Sequence, residues 1–513
     1  MTEHHAPPPT SALPLDGSWH RAHRTYRPRR AVVGWRAGGP ANPHLDHTMR
    51  SDHPQTVGTV AGESLAEETQ VAARSHLLDD QVGFFADDKR PVAEPVAEDL
   101  AEHLARIGDR PDCSGAAGPR LIEGVAAAGL SGRGGGHFPT AGKLRAALRA
   151  VQSESRADRL AFVVANGAEG EPASVKDAAL IQSRPHLVID GLVCAAEVIG
   201  AQHAVIWLHE HDHGSYDALS AALRQRRANG IAEPAVRIMV GRSHYLTGES
   251  RSVVAGVSGR LPLPYFTRVP TATAGIGGHP TLIQNVETLA RLALIARTGP
   301  QHPMPGPLLS VLGQAPDGSS VLIAREGSAD QTVAETIDVG WQRPGRPQAV
   351  LVGGYGGTWL RWDEVAGLRI AELDRRPAEL GPHQASLGPG ILLALPRQAC
   401  PVQETAAVVA YLASSSARQC GPCTRGGPAI AQAWQRLAES RVGRSAERKL
   451  LPLAAQLDGR GACALPDAIA RITRSALRAF ADDVSRHESG AGCAGQDAPL
   501  TLPVPDLDVL IGG

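Results

Sequence analysis

Two stretches of this 513-residue chain combine residue types that do chemistry. The first is Gly129-Leu-Ser-Gly-Arg-Gly-Gly-Gly-His-Phe-Pro-Thr-Ala-Gly-Lys143. Its glycines free the main chain for positive φ and for close approach to a ligand. Leu144–Ala150 has a helical pattern, so the loop empties into a helix N-terminus. The unpaired N–H groups there, with Arg133 and Lys143, suit an anion such as a phosphate. The second stretch is Cys420-Gly-Pro-Cys423, followed by Cys463 and Cys493. Seven cysteines are too few for a disulfide scaffold of this size. A Cys-x-x-Cys pair in such a chain fits metal or redox use in a reducing compartment.

The elements that must position these residues follow from apolar spacing. Helical periodicity marks Val96–Ile107 and Leu121–Ala128, the latter leading into the Gly-rich loop. Leu160–Ala165 is a short apolar run expected as a buried parallel strand. It ends at the polar loop Asn166-Gly-Ala-Glu-Gly-Glu-Pro172, and ligands bind at such strand ends in open α/β sheets. A helix over His186–Ile199, strands over Ala204–Leu208 and Ala235–Val240, a turn at Gly275–Pro280 and a helix opening at Gln284–Thr288 complete an α/β alternation. Leu308–Leu312, Val321–Ala324 and Ala349–Val352, separated by Gly/Pro turns, suggest a small β-rich part. From Gln403 to Arg486 the pattern is mostly helical, with Cys463 between two helices; Gly490–Gly513 is loop-like.

Lys+Arg is 51 and Asp+Glu 52, a net charge of -1, which gives no reason for a nucleic-acid or acidic-membrane partner. No run approaches the ~18 apolar residues of a membrane span, and no apolar signal core opens the chain. A cytoplasmic location is expected. Only Lys89, Lys143, Lys176 and Lys449 are lysine among the basic residues, so a retained ammonium is informative. The first 70 residues, rich in Pro, His and Arg, are expected to be disordered, with Met49 a second candidate start.

Four segments, in order, resemble the flavin-carrying, NADH-oxidising subunit of respiratory complex I and the related diaphorase subunits. Gly132-Arg-Gly-Gly-Gly-His-Phe-Pro-Thr140 with Lys143 is similar to G-R-G-G-A-G-F-P-T…K. Asn166-Gly-Ala-Glu-Gly-Glu-Pro-Ala-Ser-Val-Lys-Asp177 is similar to N-A-D-E-S-E-P-G-T-x-K-D. Tyr245-Leu-Thr-Gly-Glu-Ser250 is similar to Y-x-x-G-E-E, and Gln284-Asn-Val-Glu-Thr288 to the N-N-V-E-T helix start. The last is the cysteine segment. The resemblance spans roughly residues 77–490. It implies an FMN-binding α/β domain over 77–300, a small ubiquitin-like β domain over 301–395 and a helical bundle with a [4Fe–4S] cluster over 396–490. Residues 1–76 form a variable N-terminal region and 491–513 a tail.

The resemblance also implies roles. Gly132, Arg133, Gly134 and Gly135 lie against the flavin, Phe138 faces the nicotinamide side, and Lys143 pairs with the FMN phosphate. Asn166 and Glu169 contact the flavin; Tyr245, Gly248, Glu249, Gln284 and Asn285 complete the site, Asn285 also being a candidate helix N-cap. Glu171 is retained on the NADH side. There the chain departs from the pattern at Gly136, His137, Ala168, Ser250, Thr267 and Pro270. His137 reads first as a solvent-facing loop histidine, with a proton donor or a contact to a different electron donor as the other readings.

The family's S-C-G-x-C-x-P-C-R becomes Ser416-Ala-Arg-Gln-Cys-Gly-Pro-Cys-Thr424, with Ala417 in the first cysteine's place. Cys420, Cys423 and Cys463 match the other three, whereas a [4Fe–4S] cluster normally has four thiolates. Cys493 is expected to supply the fourth, with His487, water or an absent cluster as alternatives and zinc as the competing metal. Cys113, Cys194 and Cys400 read as incidental or core residues.

The function implied is electron transfer: NAD(P)H to FMN, then to the cluster, then to a ferredoxin or other redox subunit, with no side-chain nucleophile required. Membrane contact arises only through partners. The rival reading is a non-catalytic assembly or scaffold subunit that keeps the fold and a metal site but not NADH oxidation.

Overall fold

A computed structural model describes residues 76–153, 160–315, 317–343, 345–375, 385–440 and 446–505. The expectations for the first 75 residues, Met49 included, lie outside the described residues. The first strand, β1 (Val82–Phe85), is followed by helices α1 (Leu100–Ile107), α2 (Ala117–Ala127) and α3 (Thr140–Gln152). A parallel sheet is then built from β2 (Phe162–Asn166), β3 (His203–His209), β4 (Val236–Gly241) and β5 (Thr281–Asn285), in the order β4-β3-β2-β5. Its helices are α4 (Lys176–Ser183), α5 (Pro185–Ile199), α6 (His213–Ala228), α7 (Ser250–Val257) and α8 (Val286–Thr298).

The central strand explains why this stretch is so apolar. Val163, Val164 and Ala165 are all fully buried, because both faces of the sheet are covered. Val163 and Ala165 join the core with α5 and α8, while Val164 joins Trp207, Val253 and Val254 of α7 on the other face. Each tight contact needs glycine: a Cβ at Gly191 would stand 2.0 Å from the Leu289 carbonyl oxygen, and one at Gly241 would stand 2.2 Å from the Trp207 ring.

A second, mixed sheet has the order β1-β7-β6-β10-β8-β9. Hairpin β6 (Leu308–Gln314)–β7 (Ser320–Glu326) leads through α9 (Val333–Asp338) to hairpin β8 (Ala349–Val352)–β9 (Thr358–Arg361). β10 (Ile391–Leu395) then inserts between them, parallel to β6 and antiparallel to β8. α9 covers one face through Val333 and Ile337. The other face, with Leu351, Tyr355 and Trp359, joins the main core. A helical bundle follows: α10 (Pro401–Ser414), α11 (Gly427–Ala438), α12 (Ala446–Leu457), α13 (Leu465–Ala479) and α14 (Ala481–Glu488). All described residues lie in one compact unit. Among them no helix is long and apolar enough to cross a membrane.

The structure departs from the sequence expectations at several elements. β1 falls in the stretch expected to belong to the α/β part, yet it pairs antiparallel with β7, Val82 opposite Ala324. The helix expected from Val96 starts at Leu100, because Asp99 caps it in a box with Glu102. Gln284 lies in β5, and the helix begins one residue past Asn285. The segment after Gly490 is loop-like but anchored: the buried Glu404 carboxylate accepts from the N–H groups of Thr501 (2.5 Å) and Leu502 (3.1 Å).

Candidate functional site

In the parallel sheet Asn166 at the end of β2 stands opposite Trp207 of β3 and Asn285 of β5. From β2 the chain steps outward to β3 and β4, then returns to place β5 on the other side of β2. The strand order therefore reverses beside β2, and in open α/β sheets ligands bind in the crevice outside the strand ends at such a point. The Gly-rich loop reaches this crevice. Arg133 N donates to Thr288 Oγ1 at 2.9 Å, and a Cβ at Gly134 would stand 3.4 Å from the Asn285 Cβ. The Tyr245–Glu249 segment closes another side: Asn166 Nδ2 donates to the Gly248 oxygen at 2.8 Å. A Cβ at Gly248 would meet the Ala168 oxygen at 2.2 Å. Glu249 caps α7, accepting from Arg251 N and Ser252 N, and Asn285 caps α8, accepting from Glu287 N.

The cations of the motifs divide into two kinds. Arg133 was expected to face an anion; instead it is buried, with Nη1 2.8 Å from Asp374 Oδ1 and Nε 3.3 Å from Glu287 Oε1. Lys176 is likewise consumed, its Nζ 2.7 Å from Asp177 Oδ1 and 3.0 Å from Glu287 Oε2. Burial alone would raise the Glu287 carboxyl, but Lys176, Arg291 and Arg133 hold it down to about 2. These groups tie α4, α8 and the Gly-rich loop together. Lys143 is different. It is half-buried at the start of α3, no acidic side chain among the described residues pairs with it, and burial lowers its pKa. Its ammonium stands 6.0 Å from the Phe138 ring centre. The adjacent Thr140 hydroxyl is buried without a partner; in the sequence it is marked only as a member of its motif.

Other buried polar atoms without a protein partner include Asn166 Oδ1, Glu169 Oε2, Glu171 Oε1 and Gln284 Nε2. Such orphans are rare unless a ligand or water satisfies them. Burial, reinforced by the Asp177 charge, pushes Glu169 up to about 8. Burial also pushes Glu171 to about 7, partly offset by the Tyr355 N–H at 3.1 Å. Lys89, which lies in none of the motifs, donates to the carbonyl oxygens of Glu171 (3.0 Å) and Ser174 (2.9 Å). Amide, carboxylate and protonated carboxyl groups side by side offer both donors and acceptors, as a flavin ring and its ribitol require. A lone cation and a free hydroxyl at a helix start suit its phosphate. The residues fit FMN. A separate cleft of about 480 Å³, lined by Val82, Val92, Arg184 and Val321, contains none of them.

Of the residues expected on the nicotinamide side, Phe138 is exposed, Ala168 is buried, and Ser250 and Thr267 are half-buried. His137 is not solvent-facing: it is 1 % exposed, and its Nε2 lies 3.1 Å from the Gly388 oxygen. It adopts φ +44, the left-handed region, where the resembling family carries glycine. Its ring fixes the Gly-rich loop to the turn before β10. Burial and the Arg133 charge lower its pKa.

Cys420 follows α10, Cys423 is buried in a π-helical turn, and Cys463 lies between α12 and α13. Burial, the adjoining Cys420 thiol and the Cys463 charge push Cys423 up to about 12. Arg418, where the family has glycine, keeps φ +52, so the loop geometry persists without the residue that favours it. Cys493 does not join this group. It lies with Cys400 and His487, their ligand atoms all within 4.8 Å of one another. Cys400 caps the start of α10, whereas Cys420 lies beyond its end. A helix of 14 residues is ~20 Å long, so neither Cys493 nor His487 reaches the other three cysteines. Cys400, expected to be incidental, belongs to this second cluster.

The two halves of the site adjoin. Arg251 Nη1, in the first turn of α7, donates to the oxygen of Ala462 at 2.9 Å, next to Cys463.

Residues 125–294 match the Nuo51 FMN-binding domain family, and residues 403–487 the iron–sulfur binding region of NADH-ubiquinone oxidoreductase F. The chain is 27% identical over 398 residues to the F component of NADH-quinone oxidoreductase from Streptomyces coelicolor, covering 74% of this chain and 86% of that protein. It is 24% identical over 389 residues to the mitochondrial NADH dehydrogenase [ubiquinone] flavoprotein 1 of Dictyostelium discoideum, covering 71% and 78%. An NAD+-reducing [NiFe]-hydrogenase in the H2-reduced state shares the fold, with a TM-score of 0.62 at 24% identity over 72% of this chain and 62% of that one.

Proposed function

The chain belongs, as a divergent member, to the family of the FMN- and NADH-binding subunit of NADH:quinone oxidoreductase, and from that premise we propose how its own residues serve the reaction. It is an oxidoreductase that passes electrons from NADH through FMN to a [4Fe–4S] cluster and on to a redox partner. The flavin, when bound, accepts hydride and releases electrons singly, and the protein supplies position and electrostatics.

The reading rests above all on the four orphaned polar atoms of Asn166, Glu169, Glu171 and Gln284 beside the Gly-rich loop. A scaffold with neither ligand nor water there would leave them unpaired at about 1–3 kcal/mol each. In this reading Lys143 and Thr140 hold the FMN phosphate, and Gly132, Gly134 and Gly135 form one wall. Asn166, Glu169, Tyr245, Gly248, Glu249, Gln284 and Asn285 form the others. Arg133 supports the loop from behind. Phe138 and Glu171 face the nicotinamide. Protonated Glu169 donates a hydrogen bond where an ionised carboxylate would only accept. Cys420, Cys423 and Cys463 hold the cluster, with a non-protein ligand at the place of Ala417.

The strand order of β6–β10 supports a ubiquitin-like domain over 301–395, to which β1 adds an edge strand. We place the FMN domain at 77–300 and the cluster domain at 396–490, with a ferredoxin or other redox subunit as acceptor in the cytoplasm. Anaerobic purification followed by flavin fluorescence and NADH bleaching tests the assignment. Bound FMN that bleaches rapidly, followed by iron–sulfur reduction, is expected. Protein that takes up no FMN on reconstitution overturns it in favour of the scaffold.

A further inference from the structure

Cys400, His487 and Cys493 come from three separate places: the end of the second sheet, the last helix and the segment after it. Their ligand atoms lie within 4.8 Å of one another, and Cys400 Sγ is 3.4 Å from His487 Nε2. Cys400 and His487 are buried and Cys493 is half-buried.

The imidazole is oriented for coordination. His487 Nδ1 lies 3.2 Å from the Leu437 carbonyl oxygen, which can only accept, and 3.3 Å from the Ser440 hydroxyl, which can also accept, so the two favour a proton on Nδ1. Nε2 then presents its lone pair toward the sulfurs. Metal-bound histidines use this same outer contact to fix their tautomer. Two thiolates and one imidazole suit zinc, and they are the wrong donors for calcium or magnesium, which take oxygen. In a tetrahedral zinc site with Zn–S about 2.3 Å and Zn–N about 2.0 Å, sulfur and nitrogen are about 3.5 Å apart. The observed 3.4 Å fits.

We propose that Cys400, His487 and Cys493 form a zinc site, distinct from the three cysteines near the cluster, with water as fourth ligand. Binding displaces two thiol protons to solvent as two zinc–sulfur bonds and one zinc–nitrogen bond form, with no change of oxidation state. The ion would clamp α14 and the chain after it to the start of α10, where the second sheet meets the bundle. Because Cys400 lies a helix length from Cys420, iron at one site and zinc at the other are independent.

The test uses the full chain purified anaerobically with reductant, dialysed against zinc, and assayed for zinc and iron by mass spectrometry. One zinc per chain is expected in the wild type and in Cys420→Ser, which loses iron. Cys493→Ser and His487→Gln are expected to lose zinc while keeping iron. Cobalt substituted for zinc should give tetrahedral d–d bands that disappear in Cys493→Ser. Circular dichroism of each variant checks folding; the half-exposed Cys493→Ser carries the test if Cys400→Ser fails to fold. Zinc retained in Cys493→Ser, zinc lost in Cys420→Ser, no zinc in the wild type, or a Cys400–Cys493 disulfide in the anaerobic protein overturns the proposal. None of these outcomes depends on FMN binding, so failure here is separable from failure of the flavin reading.

Discussion

Arg251 and Ala462 join the two ends of the electron path: the Arg251 guanidinium donates to the Ala462 oxygen at 2.9 Å. The arginine sits at the start of the helix capped by Glu249, and Ala462 immediately precedes Cys463. Loss of a hydrogen bond from a charged group costs about 1.5–3 kcal/mol. Arg251→Ala is therefore expected to loosen the Cys463 turn. In rapid mixing with NADH, flavin bleaching should persist while cluster reduction slows and its EPR signal weakens. Unchanged cluster kinetics would show that the contact is incidental.

Lys143 and Lys176 should separate binding from stability. Lys143→Ala removes a cation without an acidic partner, so flavin-free protein should melt unchanged. FMN affinity should fall about 10- to 100-fold, the worth of one charge-assisted hydrogen bond. Lys176→Ala leaves Asp177 and Glu287 buried beside an empty place, and should destabilise the fold by about 3–5 kcal/mol. Fluorimetric FMN titration and thermal melts distinguish the two.

Two glycines on the crevice should behave differently as alanines. At Gly248 the new Cβ would meet the Ala168 oxygen at 2.2 Å, so both melting temperature and FMN affinity should drop. At Gly136 it meets nothing within 4 Å, and the resembling family carries alanine there, so apo stability and FMN affinity should both hold. A loss of FMN affinity in Gly136→Ala would show that the loop meets the flavin differently from its relatives.

The buried acids set a pH dependence for the flavin-free protein. Glu169 at about 8, with Glu171 and Glu404 at about 7, lie above the ordinary carboxyl value of 4.5. Between those limits the folded chain keeps protons that the unfolded chain has released, so stability falls as pH rises. His186 and His209, depressed to about 4, act oppositely, but only up to their ordinary 6.5. The expected net result is a melting temperature that declines from about pH 6.5 to 8. Glu169→Gln should flatten that decline; an identical slope in the variant would contradict the assignment.

Ala417→Cys restores the missing thiolate position. Ala417 is partly buried against the main core, just before the left-handed Arg418. The variant should retain iron longer in air and on dilution than the wild type, measured by the decay of cluster absorbance. Equal decay would mean that the fourth position is already filled from elsewhere.

The order of α/β, β and helical parts and the four motifs were legible in the sequence because each is local. A Gly-rich run before a helix, a polar loop after an apolar strand and a Cys-x-x-Cys pair carry their chemistry within a dozen residues. What tertiary structure alone decided depends on distance through space. Arg133 looked free for a phosphate until Glu287 and Asp374 were found against it, and His137 looked exposed until the Gly388 turn covered it. β1 is too short to announce its partner, which lies about 240 residues on. Cys493 was the reasonable fourth ligand by count. The length of α10, a rigid rod between Cys400 and Cys420, removes it from the cluster and delivers it to His487.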